Sequence, residues 1–272
     1  MKAPAPAKIN LGLVVGPARA DGRHELLTVY QRLALADRIQ LEPAADGLRV
    51  DGFPADTLVR DALAALASRV GAAPAWAVRI EKRVPVAAGL GGGSSDAATA
   101  LRLANDTLPA PLDPPVLHEL AASLGADVPF FLVDGPQLGS GDGTTLAPVD
   151  LPQDFWIVLV VPHGTTKPST ASVYAAFDAR DGAAGWDERR AAFLAALGAV
   201  RRPRDLAALP PNDLASSPLT DELRALGAFH ADVSGAGPAV YGLFHHRAPA
   251  EAAKRVLKRV GASWLTAPAW YG

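Results

Sequence analysis

The chain has 272 residues with a formal net charge of −2, which excludes a general nucleic-acid or membrane-surface binder working through a strongly basic face. Hydrophobic residues make up 49% of it, enough to fill a sizeable core and too many for a disordered chain. It has no cysteine, so disulfides, thiolate catalysis and Cys-based zinc sites are excluded.

The start, Met1-Lys2-Ala3-Pro4-Ala5-Pro6, has no apolar h-region. The longest strongly apolar run, Phe155 to Val161, is far too short to span a bilayer, so a soluble, cytoplasmic protein is expected. Ala7 to Val15 alternates strictly and predicts a strand. Ile9, Leu11, Leu13 and Val15 share its core face, and Lys8 and Asn10 stand side by side on the other. Asp21-Gly22 marks a turn. A second strand follows from His24 to Gln31, and a third runs from Asp37 through Ile39 and Leu41. Asp56 to Val70 reads as an amphipathic helix with an apolar row of Leu58, Ala62, Leu66 and Val70, stopped by Gly71. Trp76 to Val84 is a half-buried strand with Trp76, Val78 and Ile80 on one face and Ala77, Arg79 and Glu81 on the other.

Then comes Pro85-Val86-Ala87-Ala88-Gly89-Leu90-Gly91-Gly92-Gly93-Ser94-Ser95-Asp96. Ala97 to Asn105 predicts a helix capped by Ser95 or Asp96. A strand thus runs into a glycine-rich loop, and the loop opens a helix. Without Cβ atoms the loop lets backbone N–H groups approach an anion, and the helix N-terminus adds partial positive charge. A Walker A loop is excluded, because no lysine lies between Lys82 and the end of the motif. The dinucleotide fingerprint needs a glycine where Ser94 stands.

Asp113-Pro114 predicts the start of a helix ending near Leu124 with Gly125 as its cap. Asp127 follows among apolar neighbours in Gly-Ala-Asp-Val-Pro-Phe-Phe, where an ionised carboxylate needs partners. Those partners could be helix-end N–H groups, or the carboxylate could serve chemistry. Residues 134–150 are rich in Gly and Pro, and the domain boundary is placed near Asp150, giving domains 1–150 and 151–272. The second domain reads strand (155–161), helices (170–179, 187–200, 219–228), strands (231–234, 239–244), helix (249–260) and strand (263–266). With the helices grouped that is β-α-β-β-α-β, a ferredoxin-like order. The five histidines besides His24 show no metal-ligand spacing.

The loop Pro85 to Ser95 closely resembles the ATP loop of the GHMP kinases, small-molecule kinases of galactose, homoserine, mevalonate and phosphomevalonate. Its Gly-Leu-Gly-Gly-Gly-Ser-Ser form, with Pro-Ala-Lys-Ile-Asn at residues 6–10, Asp-Gly-x-His-Glu-Leu at 21–26 and Gly-Ala-Asp-Val-Pro at 125–129, is most similar to their methylerythritol branch. The resemblance implies an α+β, two-domain GHMP fold: an N-terminal ATP-loop domain and a ferredoxin-like C-terminal domain, with ATP and substrate meeting between them. It implies ATP and Mg²⁺ as cofactors and a cytidyl diphosphate alcohol, phosphorylated on its 2-hydroxyl, as the small-molecule substrate. A monomer or weak homodimer is expected, with no nucleic acid and no membrane.

Residue by residue, the resemblance places Lys8 and Asp127 in catalysis, paired with one another. It gives Pro85, Val86, Ala87, Ala88, Gly89, Leu90, Gly91, Gly92, Gly93, Ser94 and Ser95 to the nucleotide, with the Ser95 hydroxyl on Mg²⁺. Asn10, Arg23, His24, Thr170 and Tyr174 fall to the substrate. Ser234, Gly235 and Gly237, in the turn Asp232 to Pro238, fold over the phosphates. Arg23 stands where the family has tyrosine, and its planar guanidinium can stack on the base or reach the diphosphate. Asn212-Asp213-Leu214 matches a family segment read as a structural corner. Two other readings are a GHMP kinase for another alcohol and a non-catalytic nucleotide-binding module of the same fold.

Overall fold

A computed structural model describes residues 1–165 and 169–269. The chain forms two compact units interleaved in sequence: 1–7, 35–86 and 91–134 make the first, and 8–34, 87–90 and 135–272 the second. Two long strands, β1 (Lys2–Ala18) and β2 (His24–Pro43), contribute to both.

In the first unit the end of β2 pairs antiparallel with β4 (Trp76–Glu81), from Arg38 opposite Glu81 to Pro43 opposite Trp76. The short β3 (Arg49–Asp51) joins β4 in parallel. Helices α1 (Leu58–Arg69), α2 (Gly92–Asn105) and α3 (Pro114–Leu124) complete the unit, with α1 packed on α2 and α3. Val59, Ala62, Leu63, Leu66 and Ala67 form the buried face of α1, while Leu58 and Val70, expected in its apolar row, are only half-buried. Asp113 is the N-cap of α3 and Gly125 its C-cap, as the sequence predicts.

In the second unit the start of β2 pairs antiparallel with β5 (Gln137–Gly141), and β5 with β6 (Thr145–Pro148). Then follow β7 (Trp156–Pro162), α4 (Thr170–Ala179), α5 (Trp186–Gly198), α6 (Leu219–Ala225), β8 (His230–Val233), β9 (Val240–Phe244), α7 (Arg247–Leu257) and β10 (Gly261–Thr266). Strands β7 to β10 make an antiparallel sheet in the order β10-β7-β9-β8, the expected ferredoxin-like layer. Val158, Val160, Val233, Val240 and Phe244 on the sheet pack with Leu223 of α6 and Ala250, Ala253 and Leu257 of α7.

Two sequence expectations are corrected, one on β2 and one on α2, and the structure adds two features. The second and third strands are one, β2, because no Gly or Pro between Gln31 and Ile39 breaks the chain. The β1 face that carries Lys8 and Asn10 is buried, with both residues only 3% exposed. Residues 134–150 hold β5 and β6, whose alternation Gly139, Gly141 and Gly143 disguise. Helix α2 starts at Gly92, so Ser95 and Asp96 lie inside it and cap nothing.

Candidate active site

The first half of the glycine loop, 87–90, belongs to the second unit and is held there by hydrogen bonds and close backbone packing. Lys8 N–H of β1 donates to Leu90 O at 2.9 Å, and Ala239 N–H donates to Ala88 O at 2.9 Å. Gly89 has φ +81°, and a Cβ there would stand 2.4 Å from Ser234 O and 2.9 Å from Gly237 O. The Ser234 hydroxyl donates to Gly89 O at 2.9 Å. The loop and the Ser234–Gly237 turn are thus interlocked backbone to backbone. Ala87 takes φ +54°, a left-handed conformation costly for a residue with a side chain.

The same turn stands over Lys8 and Asn10. A Cβ on Gly235 would lie 3.6 Å from both Lys8 Nζ and Asn10 Oδ1. Hydrogen-bond logic fixes how these two point. The Thr28 hydroxyl donates to Gly12 O at 2.7 Å, so it must accept from Asn10 Nδ2 at 2.8 Å. That turns Asn10 Oδ1 toward Lys8 Nζ, which donates to it at 2.7 Å. The ammonium also sits 5.5 Å from the centre of the Tyr30 ring. The buried Tyr241 hydroxyl donates to Asn10 O at 2.9 Å, and burial pushes its pKa well above the ordinary phenol value.

Asn212 is a residue whose part sequence reasoning did not resolve. Its side-chain amide donates to Val233 O at 2.9 Å and to Gly235 O at 2.6 Å, so it holds the turn from behind. Asp232 accepts the Asn212 N–H at 2.9 Å, and burial pushes its carboxyl up to about 6. Asp213 accepts Val15 N–H at 2.8 Å, which ties the next residue to β1. The Asn-Asp-Leu corner therefore grips both the turn and the strand that bears Lys8.

The second half of the loop, 91–95, belongs to the first unit. Gly91 is the N-cap of α2 at φ +67°, and no side chain caps the helix. Ser95 N–H donates to Gly91 O at 2.8 Å, closing the first turn. The N–H groups of Gly91, Gly92, Gly93 and Ser94 are then the four a helix start leaves without an intrahelical partner, and Ser95 N–H is not among them. A Cβ on Gly93 would meet nothing within 4 Å. Uncapped donors beside open space suit the phosphates of a nucleotide. The Ser95 hydroxyl is fully buried and has no hydrogen-bond partner among the described residues. An orphaned oxygen there fits Mg²⁺, which is often held by only one or two protein oxygens beside the phosphates. Asp127 lies half-buried in the turn after α3, where Val128 N–H bonds back to Gly125 O at 3.1 Å.

A third cluster lies in the second unit. His24 is buried, with its ring stacked on Tyr174 at 4.8 Å between centroids and edge-on to Phe177 at 6.0 Å. Its Nε2 lies 2.8 Å from Asp178 Oδ1, a partner that only the turn spacing of α4 from Tyr174 could have suggested. Thr170 is the exposed first residue of α4, whose N-cap Ser169 accepts Ser172 N–H at 3.0 Å. The Arg23 guanidinium, 51% exposed, pairs with Asp142 in the β5–β6 turn. Burial opposes ionisation of Asp142, but Thr144 and Arg23 hold its carboxyl below the usual carboxylate range.

Comparisons with known proteins bear on the family and the fold. The family model "GHMP kinases N terminal domain" matches residues 57–135, and "GHMP kinases C terminal" matches 210–263. A 4-diphosphocytidyl-2-C-methyl-D-erythritol kinase from Moorella thermoacetica is 38% identical over 94% of this chain and 93% of its own length. One of the same name from Deinococcus radiodurans is 39% identical over 97% and 91%. A crystal structure of a 4-(cytidine 5'-diphospho)-2C-methyl-D-erythritol kinase superposes with a TM-score of 0.79 at 34% identity, covering 99% of this chain and 100% of that one. A mevalonate kinase crystal structure matches with a TM-score of 0.75 at 12% identity, which speaks for the fold alone.

Proposed function

Because the chain belongs to the GHMP kinases, and within them to the 4-diphosphocytidyl-2-C-methyl-D-erythritol kinase family, we propose that it transfers the γ-phosphoryl group of ATP to the 2-hydroxyl of that cytidyl diphosphate alcohol, in isoprenoid precursor synthesis. The observation that carries the reading is the first turn of α2, whose backbone donors no side chain caps and where a Cβ on Gly93 would meet nothing within 4 Å. The substrate oxygen attacks the γ-phosphorus, the bond to the β,γ-bridging oxygen breaks, and ADP leaves. Such a reaction asks mainly for positioning and charge stabilisation.

The N–H groups of Gly91 to Ser94 hold phosphate oxygens, and Pro85 to Leu90 shape the rest of the loop. The Ser95 hydroxyl would hold Mg²⁺ in part, and the ion would supply charge neutralisation at the phosphates. Asp127 accepts or orients the hydroxyl proton. Lys8, aimed by Asn10, stabilises negative charge on the attacking oxygen. His24 and Tyr174 receive the base, with Asp178 setting the imidazole's tautomer; Thr170 and Arg23 flank the substrate. The Ser234, Gly235 and Gly237 turn covers the phosphates. The sequence domains stay 1–150 and 151–272, and the enzyme works in the cytoplasm as a monomer or weak homodimer without nucleic acid or membrane.

A coupled assay with ATP, Mg²⁺ and the cytidyl substrate tests the whole reading. Turnover on a mevalonate-type or sugar alcohol but not on the cytidyl compound would overturn the substrate. Asp127→Asn should fold, bind ATP and lose about 10²–10⁴-fold in kcat, the usual contribution of a positioned base. Lys8→Ala should share the defect, and the double variant should be far less than additive. Near-normal turnover of folded Asp127→Asn would remove it from the mechanism.

A further inference from the structure

Lys8 brings its charge into the interior, and the side chains around it decide where that charge points. The residue is buried, and its Nζ donates to Asn10 Oδ1 at 2.7 Å. A buried ammonium needs more than a neutral amide oxygen, because its charge must be met as well as its N–H groups. The face of an aromatic ring meets the charge without supplying a lone pair, and Tyr30 offers one, with its centre 5.5 Å from Nζ.

The pairing is built from both strands. Strand β1 pairs with β2, and side chains two residues apart on a strand share a face. Lys8 and Asn10 on β1 meet Tyr30 and Thr28 on β2: the Asn10 amide reaches the Thr28 hydroxyl at 2.8 Å, and the ammonium lies over the Tyr30 ring. Tyr30 is itself only 2% exposed. It stands opposite Gln137 in the ladder with β5, and its ring leans over the diagonal neighbour, Gly139. A Cβ on Gly139 would lie 2.5 Å from Tyr30 Cε2, and one on Gly143 would lie 2.9 Å from Tyr30 Oη. The β5–β6 hairpin thus clears two positions for this one ring. An ordinary core aromatic needs only volume; this ring is fixed in place by backbone and presents a face to the cation.

We infer that Tyr30 is a positioning residue for Lys8, its ring face holding the ammonium in the direction that Asn10 sets, so that the charge stands where negative charge grows on the attacking oxygen. The inference rests on the kinase reading above. It asks for the π-face of Tyr30 rather than its hydroxyl. It also places the effect in the transition state: Lys8 acts as charge develops, so a loosened ammonium lowers kcat and leaves KM alone. A desolvated contact of this kind corresponds to roughly ten- to thirtyfold in rate.

The test is steady-state kinetics of the full chain with Mg-ATP and the cytidyl substrate. Tyr30→Phe keeps the ring and should stay within about threefold of wild-type kcat. Tyr30→Leu removes it and should lose about ten- to thirtyfold in kcat, with both KM values within about twofold. Tyr30→Leu also leaves a cavity and can fail to fold, so a second series keeps the ring and weakens only its face. Tyr30→Phe variants carrying one, two or three ring fluorines should lose kcat stepwise, about tenfold over the series, because fluorine draws electron density from the face. In a Lys8→Met background the gradient should vanish, whereas a side chain that merely fills the core would behave alike in both backgrounds. A flat series, a gradient that persists without Lys8, or a rise in the alcohol's KM at unchanged kcat would overturn the inference alone, the last because the ring would then be touching substrate. A wild-type protein that does not turn over the cytidyl substrate would overturn it together with the proposed function.

Discussion

Gly89 and Gly93 are four residues apart in the same loop, yet their surroundings have nothing in common. A side chain on Gly89 would run into two backbone carbonyls of the Ser234–Gly237 turn, whereas one on Gly93 would enter open space. Gly89 also needs its positive φ, and Gly93 is an ordinary helical residue. Gly89 is therefore glycine because protein packs on it, whereas no neighbour in the chain confines Gly93, and the proposed nucleotide would take that space. A glycine motif read as one anion cradle is two devices joined at Leu90: a backbone clasp and an uncapped helix start.

The largest effect should come from filling the clasp. Gly89→Ala combines left-handed strain of roughly 1–2 kcal/mol with overpacking of about 1–3 kcal/mol against immovable backbone. We expect about 2–4 kcal/mol lost in denaturant unfolding, and an unchanged midpoint would mean that the turn yields easily. The clasp can also be loosened from behind, through β8. Burial, aided by Arg224, lowers the His230 pKa to about 4, so the folded state binds fewer protons than the unfolded chain between that value and about 6.5. Stability from this group is then full above about pH 6.5 and lost as pH falls toward 4. Relative to His230→Gln, wild type should gain on the order of 3 kcal/mol across that window. Parallel pH curves for the two proteins would remove His230 from the balance.

Gly93→Ala sharpens the comparison from the other side. Alanine is favoured over glycine within a helix by about 0.8–1 kcal/mol, less at its first turn, so the fold should be as stable or slightly more so. ATP should nonetheless bind several-fold more weakly, because the new methyl group occupies the space the phosphates need. Equal ATP affinity measured by calorimetry would show that the open side of the helix start is not the nucleotide site. The smallest effect should come at Arg23. Its guanidinium already pairs with Asp142 across an exposed turn, and such pairs contribute about 0–1 kcal/mol. Arg23→Ala should leave ATP affinity alone and raise the KM for the cytidyl substrate several-fold if the guanidinium turns onto the base or diphosphate, with Arg23→Tyr restoring much of it. An unchanged KM would leave Arg23 as a surface residue serving only the β5–β6 turn.

The sequence by itself determined what depends on short-range pattern. Period-2 alternation located β4 and the middle of β1, the Asp113-Pro114 pair and Gly125 bounded α3, and the order of strands and helices after Asp150 predicted the ferredoxin-like sheet. The motifs around Lys8, His24, Gly89 and Asp127 pointed to the kinase family, because bringing phosphate to backbone constrains consecutive residues. Only the tertiary structure decided which glycine serves which purpose, since Gly89 is confined by residues nearly 150 positions away. It also moved the start of α2 to Gly92, where glycines of low helix propensity and no side-chain cap hid it from local rules. The partners that hold these groups, Asp178 for His24 and Asn212 for the turn, lie 21 to 154 residues from them. Burial made them necessary: a polar group taken out of water must find its partner wherever the fold brings one, and sequence spacing carries no record of that distance.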